Sequence, residues 1–244
     1  MITLLRKIRK QLLSKGQFSS YLLYAIGEIL LVVIGILIAL QINNWNENNQ
    51  EEKKQTYYLQ SLKSDLQAND AELERVIKYS QRTISLADSL LRLSEKSLEN
   101  IELKGLTTQI LNAGNYSIFK NKSTTVRELM ATGDLKLIKS DSLRSYVANW
   151  ESEIEDIRSY ELPNTENSQS YFKFVMKHLD VYKGKLNKPP LDLPMLAQLF
   201  ANREFMNGLA GRASYPKWLA EQYSKQKEKT EVLLKLINKE LERE

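Results

Sequence analysis

The most constraining feature of this sequence is an uninterrupted apolar run near its N-terminus. Across residues 22–40 the only charged side chain is Glu28. A helix of this length spans roughly 28 Å, close to the ~30 Å hydrocarbon core of a bilayer. Aromatic residues, which favour membrane interfaces, flank the run at Tyr21 and Trp45. The pattern therefore predicts a transmembrane helix over residues 21–42.

Basic residues before the apolar run predict its orientation. The first 20 residues hold five basic side chains and no acid, whereas the first lysine after the run is Lys53. By the positive-inside rule, residues 1–20 form a cytoplasmic basic amphipathic arm, and residues 43–244 form an extracytoplasmic domain. This organisation predicts a single-pass membrane protein with its N-terminus in the cytoplasm and its C-terminal domain outside. A cleaved signal peptide is the alternative, but no Ala-x-Ala cleavage site follows the run.

Four residues of this segment are candidates for membrane or helix contacts. An acid at the depth of Glu28 is costly in a bilayer. It would either contact a partner helix, serve a proton-linked role, or reach back to the cytoplasmic headgroups. Gly35 and Ala39 form a small-xxx-small pair, which allows two helices to approach closely. Trp45 marks the outer interface of the bilayer.

The charge of the chain is unevenly placed. The net charge of +5 belongs to the first 20 residues, which leaves 30 basic and 30 acidic residues in the remainder. A neutral domain does not predict a nucleic-acid partner. The chain has no cysteine, which excludes disulfides, thiolate metal sites and cysteine nucleophiles.

The region after the apolar run has the periodicity of long helices. Apolar residues at spacings of three and four run from Leu59 to Leu90, which predicts a helix over about residues 50–98. The same spacing from Phe205 to Ile237 predicts a last long helix that pairs antiparallel with the first. Wide apolar stripes indicate a bundle rather than a two-stranded coiled coil. The predicted fold is all-α, with one N-terminal transmembrane helix followed by an extracytoplasmic helical bundle with long first and last helices.

Shorter elements are predicted between the two long helices. Residues 101–122 contain two glycines and several asparagines, which predicts a less regular connecting segment. Ser123 or Thr124 is expected to cap a short helix. Pro163 is expected to end or kink a helix that begins near residue 140.

No arrangement of residues in the sequence predicts catalysis. His178 is the only histidine, so a Ser-His-Asp triad could use only this residue, and histidine-rich metal sites are excluded. The Glu-x-x-His pairs of di-iron bundles are absent, and the glycines are too sparse for a phosphate-binding loop. We therefore predict that the chain is not an enzyme and has no cofactor.

One stretch of sequence carries a resemblance. YLLYAIGEILLVVIGILIALQINNWNE (21–47), preceded by RKIRKQLLSKGQFSSYL, resembles the N-terminal signature of an uncharacterised family of single-pass bacterial proteins, a domain of unknown function found mainly in Bacteroidota. The later stretch RELMATGDLKLIKSDSLRSYVANW (127–150) is similar to the helix, glycine and helix pattern of that family. The resemblance implies an inner-membrane protein facing the periplasm, and it implies no activity.

Three functions remain open at the level of the sequence. The first is a membrane-anchored module for protein–protein interaction, or an envelope scaffold, that contacts membrane lipid and a partner that is another copy of itself or another envelope protein. The second is a ligand-sensing module that signals through its transmembrane helix to a partner subunit. The third is an enzyme with unrecognised chemistry. A deep pocket with convergent polar groups would favour sensing, whereas a flat apolar patch would favour protein binding.

Overall fold

The computed structural model describes residues 18–99, 101–186 and 188–242. The predicted basic arm at residues 1–20 therefore lies almost wholly outside the described residues. The described chain forms seven α-helices and one 3₁₀ turn, and none of its residues lies in a β-strand. The all-α prediction is confirmed.

Three of the helices are long. They are α1 (Phe18–Ser94), α4 (Asp141–His178) and α7 (Arg203–Leu241). The short elements are α2 (Leu106–Ala113), α3 (Thr124–Thr132), the 3₁₀ turn (Asp134–Leu137), α5 (Val181–Lys185) and α6 (Leu193–Ala201). The predicted long first and last helices are thus both present, and the apolar run and the helix after it form one continuous element.

The chain divides into two compact units, one up to Gln55 and one from Thr56 onward. In the first unit, the described residues 18–55 all belong to α1. In the second, the rest of α1 packs with all the other elements into a helical bundle. The boundary at residue 55 separates two parts that are each compact. It does not test the predicted limits of the membrane span at residues 20 and 42, which stay predictions.

The long helices of the bundle run antiparallel. Contacts between α4 and α7 join early residues of one helix to late residues of the other, as in Glu153 with Lys229 and Asn164 with Arg212. α1 and α7 are antiparallel as well, since Asp70 pairs with Lys227 at 3.0 Å while Tyr79, further along α1, lies within electrostatic range of Arg212, earlier in α7. The apolar stripes predicted from residues 59–90 and 205–237 face each other in this arrangement.

The core consists of two apolar clusters stacked along the bundle. The first surrounds the fully buried Trp150 and takes side chains from α1, α3, α4 and α7. The second surrounds Tyr171 and Phe205 and adds side chains from α2 and α6. Between them each long helix presents polar side chains inward; these are Ser80 and Thr83 of α1, Glu161, Asn164 and Ser168 of α4, and Arg212 of α7. A buried polar layer therefore separates two apolar halves.

The helix that contains Pro163 does not end there, contrary to one of the two predicted outcomes. α4 continues for fifteen residues beyond it, to His178. An internal proline removes one helical hydrogen bond and costs about 3 kcal/mol. The segment after Pro163 buries Tyr171, Phe174 and Val175 in the second cluster, and this tertiary burial offsets the local cost.

Candidate functional site

The four predicted contact residues all lie on α1. At about 100° per residue, Glu28, Gly35 and Ala39 fall within about 40° of one another, while Trp45 lies about 100° away from Glu28. A side chain added at Gly35 would meet nothing within 4 Å, and Trp45 is 68% exposed. The structure therefore places three of the four on one open helix face and Trp45 on another, and their roles stay predictions.

The apolar part of α1 is exposed along its whole length. Large aliphatic side chains from Leu22 to Ile42 are between 44% and 75% exposed. Its most apolar 18-residue window has a mean hydropathy of 2.6 and no residue buried by the protein, and it is the one membrane-spanning candidate in the described part of the chain. By length and composition this segment could cross a membrane, and unlike the core helix of a soluble protein it is not covered by the rest of the described chain.

In the bundle, the most unusual local structure is the non-helical segment between α2 and α3, residues 114–123, which we call the strap. Outside a helix, those backbone N–H and C=O groups that are turned away from water need other partners. Here those partners are side chains of the long helices. Asn69 of α1 both donates to the Lys122 carbonyl at 2.8 Å and accepts from the Lys122 N–H at 2.6 Å. Ser168 of α4 donates to the carbonyl of Gly114.

Arg212 of α7 forms hydrogen bonds at the start of the strap. Its side chain is fully buried. The guanidinium donates to the carbonyls of Ala113, Asn115 and Asn164 at 3.0, 2.8 and 3.0 Å, and to Asn164 Oδ1 at 2.7 Å. No described carboxylate forms an ion pair with it. Because burial disfavours the cation, the pKa of Arg212 is lowered to about 10.

Glu161 of α4 binds the middle of the strap. Its Oε1 accepts from the Phe119 N–H at 2.7 Å and from the Tyr223 hydroxyl at 2.6 Å. Burial of the Tyr223 phenol, together with the neighbouring Glu161 charge, raises the pKa of Tyr223. The tyrosine therefore stays a hydrogen-bond donor at any physiological pH, and the contact links α4, α7 and the strap.

The end of the strap is held by Asp65 of α1, which caps α3. Asp65 Oδ2 accepts from the backbone N–H of Thr125 at 2.9 Å and from its hydroxyl at 2.8 Å, and Lys122 pairs with Oδ1 at 3.1 Å. Ser123 occupies the predicted cap position, but its side chain makes no cap hydrogen bond, so the expected capping contact is absent. The negative charge at the α3 N-terminus comes instead from a residue about 60 positions earlier in the chain.

This cap predicts a pH-dependent stability. Burial acts to raise the pKa of Asp65, but hydrogen bonds from Thr125 and Lys122 together outweigh burial and lower it. A carboxyl group with a lowered folded pKa stabilises the fold above its unfolded pKa, and that contribution is lost as the pH falls through the folded value. We expect Asp65→Asn to cost about 1 kcal/mol at neutral pH and to flatten the decline of the thermal midpoint below pH 4. Thermal unfolding from pH 7 to pH 3 measures both effects.

The exposed Asp156 supplies the matched control for this prediction. Asp156→Asn should leave both the midpoint at neutral pH and the shape of the acid decline unchanged. An Asp65→Asn variant whose midpoint declines as steeply as that of the natural chain would contradict the assignment of the cap.

Two surface cavities flank these contacts. One, of about 220 Å³, is lined by Tyr79, Arg82, Thr83, Leu86, Asn112 and Asn115. A larger and shallower one, of about 640 Å³, lies at the end of the bundle where α1 stops and is lined mainly by apolar side chains and two prolines, among them Leu103, Leu111, Val181, Pro189, Pro190 and Leu191. The smaller of these two cavities has a mainly polar lining. Two further cavities are also polar, one of about 430 Å³ beside Glu72 and Arg75 and one of about 130 Å³ beside Glu153 and Asp156, but both include carboxylates in their lining.

The polar layer was not predicted, although the sequence contains a signal for it. Arg212 occupies an apolar-stripe position, three residues after Leu209 and seven before Leu219. Glu161, Asn164 and Ser168 continue the stripe of α4 in the same way. Polar residues at core positions over two turns indicate buried partners. The single histidine, His178, lies at the end of α4 and stacks on the ring of Phe174 with centroids 3.9 Å apart.

The sequence model of a family of unknown function (DUF6090) matches residues 28–186, more than half of the 244-residue chain. No curated protein and no solved structure matches the chain. The match takes in most of the apolar part of α1, the strap and α4, while Arg212 and Tyr223 of α7 lie beyond it. The predicted likeness to a domain of unknown function is confirmed; where the family occurs and whether its members are single-pass proteins stay predictions.

Proposed function

The chain belongs to the DUF6090 family of unknown function, and we propose that it is a membrane-anchored helical domain that acts by binding another protein rather than by catalysis. The observation that carries the anchor is the uncovered apolar part of α1. Burying such a surface in lipid is favourable by about 25 cal/mol per Å² of apolar area. No other part of the described chain covers this surface.

The proposed orientation follows from the flanking charges. Five basic residues precede the segment and none follows it before Lys53, so the N-terminal arm lies in the cytoplasm and the bundle lies in the periplasm. The bundle is then the part available to other envelope proteins. The test is a reporter protein that works only in the cytoplasm, fused after residue 244. Activity of that fusion would contradict the proposed orientation.

The proposed interaction surface is supported by exposed apolar side chains on the bundle. Leu162, Phe172 and Met176 fall within about 80° on α4 and are 59%, 40% and 47% exposed. On α7, Trp218 is 54% exposed and meets Tyr215 edge to face at 5.4 Å. Tryptophan and tyrosine are enriched among the residues that carry most of the binding energy in protein interfaces.

Membrane retention is the first test of this proposal. In the double variant Leu31→Arg with Ile34→Arg, two cations lie near the middle of the span, each costing about 3 kcal/mol. We expect the natural chain to stay in the membrane pellet after alkaline carbonate extraction and the double variant to be lost from it. The matched control is Leu162→Arg with Phe172→Arg, which places the same charges on exposed apolar positions of the bundle and should stay in the pellet. Release of the natural chain by carbonate would exclude an anchor.

Photo-cross-linking in intact membranes is the second test. A photoreactive amino acid at the position of Trp218 or Phe172 should give a discrete adduct with one partner protein, identified by mass spectrometry. The same label at Lys78, whose side chain is 70% exposed on α1, is the control and should not give that adduct. Equal adducts from all three positions, or adducts with lipid alone, would count against a protein-binding bundle.

Ligand sensing is the second candidate function, and one observation favours it. The cavity of about 220 Å³ gathers hydroxyl, carboxamide and guanidinium groups beside the strap. Convergent polar groups in a concave site are the usual form of a small-molecule site. In this function the anchored helix passes the binding event to a partner subunit in the membrane.

A further inference from the structure

The cavity beside the strap has an unusual chemical composition. Its lining contains one guanidinium (Arg82), two carboxamides (Asn112 and Asn115) and two hydroxyls (Tyr79 and Thr83), but no carboxylate. Side-chain N–H groups and phenol hydroxyls are hydrogen-bond donors. The lining therefore offers mainly donors and one full positive charge.

Hydrogen bonds orient several groups of this lining. The Asn115 side-chain nitrogen donates to Asn112 Oδ1 at 3.2 Å, so this bond occupies the acceptor oxygen of Asn112, whose NH₂ group is a donor. The Thr83 hydroxyl donates to the Tyr79 carbonyl at 3.2 Å. None of the described carboxylates forms an ion pair with Arg82.

A second cation lies behind the cavity wall. Arg212 is fully buried and donates to the carbonyl of Asn115, which lines the cavity. The Tyr79 phenol lies within electrostatic range of both Arg212 and Arg75. Arg75 pairs with Glu72, whereas Arg82 at the surface and the buried Arg212 form no ion pair with any described carboxylate. A buried cation without a carboxylate partner produces a positive potential at the nearest opening to solvent.

We propose that this cavity binds the oxyanion group of a small solute, a carboxylate or a phosphate, with Arg82 as the direct charged contact. The planar guanidinium suits either oxyanion because it donates two parallel hydrogen bonds. Two other residues of the lining supply neutral donors, namely the side-chain nitrogen of Asn112 on α2 and the hydroxyl of Tyr79 on α1. A volume of about 220 Å³ is below the range of roughly 300–1,000 Å³ that drug-sized ligands need, so the solute is small. The site is separate from the membrane anchor and from the exposed apolar surface of the bundle.

Isothermal titration calorimetry of the full chain in detergent tests this proposal. Two probes are titrated separately, inorganic phosphate and acetate, each with chloride adjusted to keep the ionic strength constant. We expect saturable binding of at least one probe, and at least about tenfold weaker binding to Arg82→Gln, since a charge-assisted hydrogen bond is lost. Binding of phosphate alone assigns a phosphate-bearing solute, and binding of acetate alone assigns a carboxylate-bearing one.

Two further variants make the result specific. Arg92→Gln makes the same change about 15 Å further along α1, at an exposed position outside the cavity lining, and should bind as the natural chain does. Asn112→Leu removes a donor from the part of the lining on α2 and should also weaken binding, with the thermal midpoint of each variant confirming that it folds. The proposal is overturned if neither probe binds saturably, or if Arg82→Gln and Arg92→Gln bind equally.

Discussion

Arg212→Leu is expected to lower the free energy of unfolding of the bundle by about 3–5 kcal/mol. The substitution removes four hydrogen bonds and leaves the carbonyls of Ala113, Asn115 and Asn164 without their donor. A buried acceptor without a partner costs about 1–3 kcal/mol. For a unit of this size the thermal midpoint should fall by about 10 °C, which the fluorescence of the buried Trp150 can follow.

Arg212→Leu also has a stabilising effect, because it removes the cost of burying a cation, but this effect is the smaller of the two. Burying the guanidinium without a carboxylate lowers its pKa to about 10, which corresponds to about 3 kcal/mol against the cation. The leucine variant no longer bears this free-energy cost, but the carbonyl oxygens left without a donor together cost more. A lysine at this position cannot reproduce the forked geometry, so Arg212→Lys should be intermediate.

Arg158→Leu is the matched control, because Arg158 lies on α4 with its side chain 65% exposed. It should change the free energy of unfolding by less than about 0.5 kcal/mol. If Arg212→Leu were equally mild, the strap would not depend on this residue, and the polar layer would not be a structural centre of the bundle.

Trp150→Ala is expected to cost about 3–5 kcal/mol of unfolding free energy. Trp150 is 1% exposed at the centre of the first apolar cluster and packs on Tyr146 with ring centroids 5.5 Å apart. Its removal leaves a cavity that the surrounding helices can fill only in part. Near-UV circular dichroism of the tyrosines reports the transition without using the tryptophan itself.

Trp150→Phe should cost much less than Trp150→Ala, under about 1.5 kcal/mol. The indole Nε1 is buried with no hydrogen-bond partner among the described residues, so phenylalanine removes a poorly placed polar group along with some packing. Trp218→Ala, at a position 54% exposed, should have little effect on stability. A phenylalanine variant as unstable as the alanine variant would show that the indole N–H has a partner in the folded protein.

Much of the fold was predictable because it depends on local, repeated patterns. The stripe from Leu59 to Leu90 and the stripe from Phe205 to Ile237 specify helices and their buried faces at once. In contrast, Pro163 predicted an end or a kink from local sequence, and the helix continues to His178 because of burial in a distant cluster. A prediction from local sequence fails where tertiary contacts contribute more free energy than the few kcal/mol of the local preference.

The candidate site was much less predictable. Arg82, Asn112 and Asn115 are ordinary polar residues in the sequence, and they meet only because the end of α2 and the start of the strap lie beside α1. Asp65 caps a helix that begins at Thr124, a relation that no spacing rule contains. Such contacts depend on how three long helices and one extended segment pack together.

The sequence by itself determined the apolar run, the helical class and the long first and last helices, because hydrophobicity and periodicity act residue by residue along the chain. Tertiary structure alone decided that polar stripe positions such as Arg212 and Glu161 form a layer that holds the strap. The physical reason is that a buried polar group is stable only with its partners, and those partners come from helices 40 to 100 residues apart in the chain.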